Sequence, residues 1–396
     1  MKIISKTVWI LSFVSLFADV ASEMLYPVMP IYLKSIGFSI FLIGLLEGVA
    51  EATAGLSKGY FGKLSDVTGK RVPFVRMGYL LSALSKPLMA VFVFPVWIFI
   101  ARTLDRLGKG IRTSSRDALL SDEATPETKG RVFGLHRSMD TLGAVIGPCL
   151  ALVFLYFFPE HYAALFFLAF APGLLSVLIT YLIQEKKPLA ITVNEKKRIS
   201  FFSFISYWKN SKLAYKKLVI GLLAFTLFNS SDVFLLLKVK EAGFSDVWII
   251  GIYIFYNLIY AAFGYPLGFL GDKLGFKKTL LMGLCLFAIV YLGMAFAHNV
   301  YIFALLFFMY GLYAAATESI SKAWISNISD KKDTATAIGT FTAFQSICTM
   351  AASALTGLIW YKAGSSTAFF ITASATSLVI VYFFFIIPER NASRIA

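Results

Sequence analysis

The sequence is short of charge. Only 15% of its 396 residues are Asp, Glu, Lys or Arg, where soluble proteins carry about a quarter, so a soluble globular chain is excluded. Acidic residues are the scarcer sign, 22 against 37 basic. Cysteine is nearly missing: Cys149, Cys285 and Cys348 all fall in apolar runs, which argues against a disulfide framework and offers no metal-ligand spacing. The sequence contains no H-E-x-x-H, G-x-S-x-G or G-x-x-x-x-G-K-[ST] pattern, so zinc, serine-nucleophile and P-loop chemistry lack their residues. No polar segment is long enough for a soluble nucleotide-binding domain. We expect no enzyme activity, no cofactor and no metal.

What fills the sequence is apolar: 58% of residues are hydrophobic and 16% aromatic. About twelve runs near 20 residues are long enough to cross a bilayer as helices. They lie at roughly 7–33, 40–61, 73–94, 95–116, 131–157, 162–184, 216–238, 246–270, 278–297, 300–322, 335–361 and 366–387. The first is too long for a signal peptide and lacks a small-residue cleavage site, so it reads as a retained span. The expected fold is an all-α polytopic membrane protein made of two six-helix bundles.

The formal charge of +15 follows topology. Basic residues gather in alternate connections: Lys2 and Lys6; Lys63, Lys70 and Arg71; Lys129 and Arg131; the 185–217 segment; Lys273, Lys277 and Lys278; Lys331 and Lys332; Arg390 and Arg394. The other connections hold mainly Lys34, Lys238, Lys240 and Lys362. By the positive-inside rule both termini and the central loop are cytoplasmic. The charge therefore points to a lipid bilayer and to no nucleic acid.

The only long polar connection, about 185–215, divides the spans six and six: a bundle at 1–184, the loop, and a bundle at 216–396. Within the loop, ISFFSFISYW flanked by lysines suits a helix lying on the inner membrane face. The two bundles repeat each other. GKLSDVTGKR (62–71) and GFLGDKLGFKK (268–278) both read G-x-L-x-D-x-x-G followed by bases, about two hundred residues apart. The same offset aligns DALLSDEATPETKGRVFG (117–134) with KAWISNISDKKDTATAIG (322–339).

These residues resemble the cytoplasmic-loop signature of the major facilitator superfamily, G-x-L-x-D-[RK]-x-G-[RK]-[RK]. Gly62, Leu64, Asp66, Gly69, Lys70 and Arg71 match it once, with Val67 where a base is common. Gly268, Leu270, Asp272, Lys273, Gly275, Lys277 and Lys278 match it again. The resemblance implies a secondary transporter in which Asp66 and Asp272 take part in gating. Physically, an Asp at such a turn can accept from the N–H groups of a neighbouring helix start. Gly143, Gly147 and Pro148 are similar to the G-x-x-x-G-P motif of antiporters in this superfamily, although close helix packing explains them equally well.

Ionisable groups at membrane depth are functional candidates by default. The first half holds Asp19 and Glu23; Glu47, Glu51 and Lys58; Arg76 and Lys86; and His136, Arg137 and Asp140. The fourth span carries Arg102, Asp105, Arg106, Lys109, Arg112, Arg116 and Asp117. At about 100° per residue these seven share an arc of about 140°, a single charged stripe that cannot face lipid. Two readings stand: a fixed buried ion-pair network, or a network partly facing a cavity. By depth, Arg102, Asp105 and Arg106 are cavity candidates, while Arg112, Arg116 and Asp117 suit the inner gate. The stripe also resembles D-R-x-G-K-G-x-R-x-x-[PS]-R-D-A-L, a pattern of a little-characterised bacterial and archaeal branch of the superfamily.

The second half offers Asp232, Glu318 and Lys322, with Asn229, Gln345 and tyrosines 253, 256, 260 and 310 as cavity candidates, most of the aromatics reading as packing. Carboxylates whose charged form is disfavoured by desolvation can carry protons; Asp19, Glu23 and Glu51 are the candidates. Glu47, Arg102, Asp105, Arg106, Arg137, Asp140, Asp232 and Glu318 are the substrate or cavity candidates. The expected activity is proton-coupled efflux of a small organic solute or drug by alternating access, with uptake of an anionic metabolite as the alternative. A membrane enzyme or a channel is the rival class. A monomer in the cell (inner, cytoplasmic) membrane is the expected form.

Overall fold

The computed structural model describes residues 4–26, 28–185 and 200–386. Lys2, Arg390, Arg394 and most of the central polar connection lie outside the described residues.

Among the described residues the secondary structure is helical throughout. The helices are α1 (Lys6–Glu23), α2 (Met29–Ser35), α3 (Ile40–Thr68), α4 (Val72–Val91), α5 (Pro95–Asp122), α6 (Lys129–Phe157), α7 (Tyr162–Thr180), α8 (Ser203–Asn210), α9 (Leu213–Thr226), α10 (Val233–Glu241), α11 (Asp246–Leu274), α12 (Phe276–Phe296), α13 (Val300–Ile328), α14 (Thr334–Ala363) and α15 (Ser365–Ile386). Pairing α1 with α2 and α9 with α10 leaves α8 apart and yields twelve spans. Among the described residues, seven helices are long and apolar enough to cross a membrane on hydropathy alone. The 28-residue α5 is not among them, because its charged stripe dilutes its apolar character.

Local chemistry sets the ends. Ser5 Oγ accepts from Val8 N and starts α1, and Ser39 does the same for α3 through Leu42 N; both satisfy helix-start donors that have no internal partner. Gly69 ends α3 in the left-handed region, with φ of 64°, which a residue lacking Cβ adopts without strain. Pro95 opens α5 at its first turn, where its missing N–H costs nothing.

The two first spans depart from the continuous runs expected at 7–33 and 216–238. In the first, α1 ends at Glu23 and α2 starts at Met29; the second breaks over 227–232. The sequence FNSSD (228–232) accounts for the second break, since Asn, Ser and Asp side chains compete for backbone hydrogen bonds. Of the segment expected to form an interfacial helix, Ser203 onward is helical as α8. Its Phe204 is buried, lies where a Cβ on Gly59 would stand, and its carbonyl accepts from Thr340.

The chain divides into two compact units. The first comprises Met1–Glu123, Met139–Asn210 and Ser329–Ala343; the second Ala124–Ser138, Ser211–Ile328 and Phe344–Ala396. The start of α14 thus belongs with the first unit, and the start of α6 with the second. In the first, a core of Leu16, Val20, Met24, Leu165, Phe166 and Ala169 packs about the broken span, and Tyr32 donates to Met89 O. In the second, Phe287 stacks on Tyr291 at 4.1 Å and meets Phe225 edge-on. Large apolar side chains such as Val96, Leu178 and Leu378 are exposed, while serines, threonines and most of the α5 charges are inside. That inversion is expected where the surrounding solvent is hydrocarbon.

Candidate functional site

The α5 stripe is the centre of the first unit. Glu47 of α3 grips Arg102 with two oxygens: Arg102 Nε donates to Oε1 and Nη2 to Oε2, both at 2.9 Å. This bidentate geometry is the strongest arrangement available to the pair. Arg102 also reaches Asp105 at 3.4 Å, and Asp105 accepts from Lys86 of α4 at 3.1 Å. Lys86 is 2% exposed. A buried ammonium costs several kcal/mol unless paired, and Asp105 supplies that pair. Arg106 stands farther from its acids, 3.8 Å from Glu47 and 3.9 Å from Glu51.

Toward the other end of α5, Arg116 donates through Nε and Nη2 to Asp117 Oδ1 at 3.1 and 2.9 Å and through Nη1 to Ser15. Arg112 lies between these groups. Its Nη1 donates to Ser82 Oγ, and its guanidinium sits 4.3 Å above the Tyr79 ring.

A small, partly open cleft lies beside the stripe. Arg102, Asp105, Arg106, Lys109 and Arg112 form its α5 wall; Asp19, Ser22, Glu23 and Tyr26, from α1 and the break after it, form the other. Glycines bring α6 close to that second wall: a Cβ on Gly143 would stand 2.6 Å from Leu16 O, and one on Gly147 2.7 Å from Met24 N.

The signature residues form two matching constructions. In the first unit, Asp66 at the end of α3 accepts from Ala335 N (3.3 Å), Thr336 N (2.6 Å) and Thr336 Oγ1 (2.7 Å) at the start of α14. In the second, Asp272 near the end of α11 accepts from Gly130 N (2.7 Å), Arg131 N (3.0 Å) and Arg131 Nε (2.8 Å) at the start of α6. Each aspartate caps a helix start from a separate helix, satisfying donors that would otherwise be orphaned and meeting the positive end of the dipole. The glycines permit the approach: a Cβ on Gly62 would strike Ala335 O at 2.5 Å, and one on Gly268 would collide with Gly130 O.

The surrounding bases differ between the copies. Arg71 reaches Asp66 at 3.5 Å and Asp122 at 3.1 Å, whereas Lys277 donates to Phe384 O. Lys70 contributes its carbonyl, which accepts from Ser65. Lys278 lies in the first turn of α12, and Gly275 leaves α11 with φ of 92°.

In the second unit Asp232, at the break between α9 and α10, accepts from Tyr256 and Tyr310, each at 2.6 Å. Arg137 donates to Glu318 at 2.8 Å and to the Tyr260 hydroxyl at 2.5 Å. Arg137 and Asp140, one turn apart in sequence, therefore fall in different units.

The candidates sort accordingly. Asp19, Glu23, Arg102, Asp105 and Arg106 meet at one cleft, joined by Arg112, which depth had put with the gate. Glu47 and Glu51 stand behind the stripe as its counter-charges, and Arg116 with Asp117 forms a buried pair. Sequence reasoning missed the pairing of Lys86 with Asp105, the Tyr79 platform, and Glu185, which accepts from Arg71 N and Val72 N and so caps α4. Lys86 was visible as a charge at membrane depth. Tyr79 and Glu185 gave no signal without neighbours in space.

The sequence matches the model of the Major Facilitator Superfamily over residues 11–259 and 248–396. The chain belongs to the Major Facilitator Superfamily. It is 33% identical over 363 residues to an uncharacterised MFS-type transporter of Methanocaldococcus jannaschii, covering 90% of this chain and 89% of that one. A multi-drug resistance efflux pump PmrA homologue of Lactococcus lactis is 24% identical over 368 residues, 88% and 87% of the two chains. The Escherichia coli fucose:proton symporter superposes with a TM-score of 0.78 at 14% identity, covering 96% of this chain and 98% of that one. This superfamily member is thus a multi-pass membrane protein of the MFS fold, and its family is one of transporters.

Proposed function

We propose that this chain is a secondary active transporter that moves a small organic solute by alternating access, with protons as the coupling ion. The observation that carries the proposal is the cleft of the first unit, where Asp19 and Glu23 oppose the cationic wall of α5. A solute and a proton can compete for, or share, such a mixed surface. Family membership supplies the transport class, and the length and likeness of the efflux-pump homologue support export as the direction. Proton-coupled uptake of an anionic metabolite is the second reading; the excess of cationic side chains on α5 favours the anion.

In this proposal the chain works through three groups. Asp19 and Glu23, with Glu51 behind Arg106, are the carboxylates that take and release protons. Arg102, Asp105 and Arg106 bind and orient the solute, aided by Glu47. Asp66 and Asp272, with Gly62, Gly69, Lys70, Arg71, Gly268, Gly275, Lys277 and Lys278 around them, form gates whose caps are made in one conformation and released in the other. Arg116 and Asp117 belong with this gating machinery. The protein acts as a monomer in the cell membrane.

The test uses proteoliposomes loaded with the pH dye pyranine and challenged with succinate, citrate or ethidium. Wild-type protein is expected to move protons with at least one of these, and Asp19→Asn or Glu51→Gln to abolish the signal while remaining folded. The direction of the dye response separates antiport from symport. Full proton movement in both variants would remove these carboxylates from the coupling role.

A further inference from the structure

The cations along α5 are not equally compensated. Arg102 has the bidentate Glu47 and the nearby Asp105. Arg106 has two long contacts, and its buried Nε has no acceptor. Lys109 is exposed at the cleft and enters no ion pair among the described residues. Arg112 is the extreme case. It is 5% exposed, its Nε is buried without an acceptor, and no carboxylate pairs with it among the described residues. One helical turn on, full compensation returns with Arg116 and Asp117.

An unpaired guanidinium buried at membrane depth is costly, because its desolvation is not repaid by a counter-charge. Arg112 is nevertheless held rigidly. Ser82 fixes Nη1 from one side, and Tyr79 supports the plane from beneath, a cation–π contact that stabilises without neutralising. What is left is a preorganised donor at the cleft wall, with Lys109 and Arg106 on the neighbouring turns of the same helix. The planar donor fork of a guanidinium matches the two oxygens of a carboxylate, as it does those of a phosphate.

We propose that Arg112, assisted by Lys109 and Arg106, is the binding site for the carboxylate of an organic anion, and that this is the chemical class of the solute. The assignment rests on the reading of this cleft as the transport site. The carboxylate completes the charge balance that the protein leaves open, and a neutral or cationic solute leaves Arg112 uncompensated.

The experiment is ligand-dependent thermal stabilisation and calorimetry on the purified full chain in detergent. The probes are succinate, citrate and benzoate, with chloride and ethidium at matched ionic strength. At least one carboxylate is expected to raise the Tm of the wild type. Arg112→Gln should weaken its Kd about tenfold or more and Arg112→Lys less, since a charge-assisted bond is lost in the first and only its geometry in the second. Lys109→Gln alters an exposed side chain that the fold does not need, and should weaken binding about threefold. The proposal is overturned if no carboxylate stabilises the wild type, if chloride or ethidium does so equally, or if binding is unchanged in both Arg112→Gln and Lys109→Gln. Binding here needs no gradient. Its loss with proton movement intact would sink the anion assignment alone, and intact binding without proton movement would sink the coupling reading alone.

Discussion

The two breaks in the first spans of the repeat use one backbone device and opposite chemistry. Past Glu23 the chain leaves α1 beside Asp19 and Glu23, and the facing wall of α5 carries four full positive charges and one carboxylate, Asp105. At 227–232 it leaves α9 beside Asp232, and the facing groups are two phenols. A carboxylate at membrane depth can thus be stabilised by ions or by neutral donors. The two solutions differ in how they fail. An ionic network punishes the loss of one member by stranding its partners, whereas hydroxyls rotate to serve whatever acceptor remains.

The largest expected effect breaks the ionic side. Asp105→Asn leaves Lys86 and Arg102 short of a shared counter-charge, and should cost about 3–5 kcal/mol in reversible unfolding. A Lys86→Met, Asp105→Leu double variant should recover most of that loss, because both buried charges leave together. If the double variant is no more stable than Asp105→Asn, the pair is not held together by charge. The helix-end caps form an intermediate class, in which a carboxylate meets partial charges. Asp66→Asn and Asp272→Asn should each cost about 1–2 kcal/mol. They should also raise cytoplasmic accessibility of engineered cysteines near Thr336 and Arg131, read by maleimide labelling. The smallest effect belongs to the phenol site: Asp232→Asn keeps an acceptor for Tyr256 and Tyr310 and should cost about 1 kcal/mol or less. A loss there as large as that of Asp105→Asn would erase the distinction between the two chemistries.

Much of this arrangement could be read from the sequence. The helical projection placed seven charged residues on one arc, and the structure turns that arc toward the cleft and toward the acids of α3. The duplicated signature located both caps, because its spacing is local. The capped helix starts were harder to foresee: Asp66 and Thr336 are 270 positions apart, and only the second repeat, which aligned 117–134 with 322–339, hinted at them. The breaks escaped because Met24, Leu25, Tyr26 and Val28 are themselves largely apolar, and because a hydropathy window averages the four polar residues Asn229 to Asp232 into a long apolar run. Arg112 was assigned by depth along its helix, and depth says nothing about which neighbours lack a carboxylate.

The glycine seams beneath the two caps have a kinetic consequence. Where Gly62 and Gly339 of one pair, or Gly130, Gly134, Gly264 and Gly268 of the other, lie against carbonyls, backbone touches backbone and there are few side-chain rotamers to unlock. A seam of interdigitated side chains would part through many small, loosely coupled steps. A bare seam stapled by one aspartate concentrates its resistance in three hydrogen bonds, so its opening rate should follow the strength of that staple almost alone.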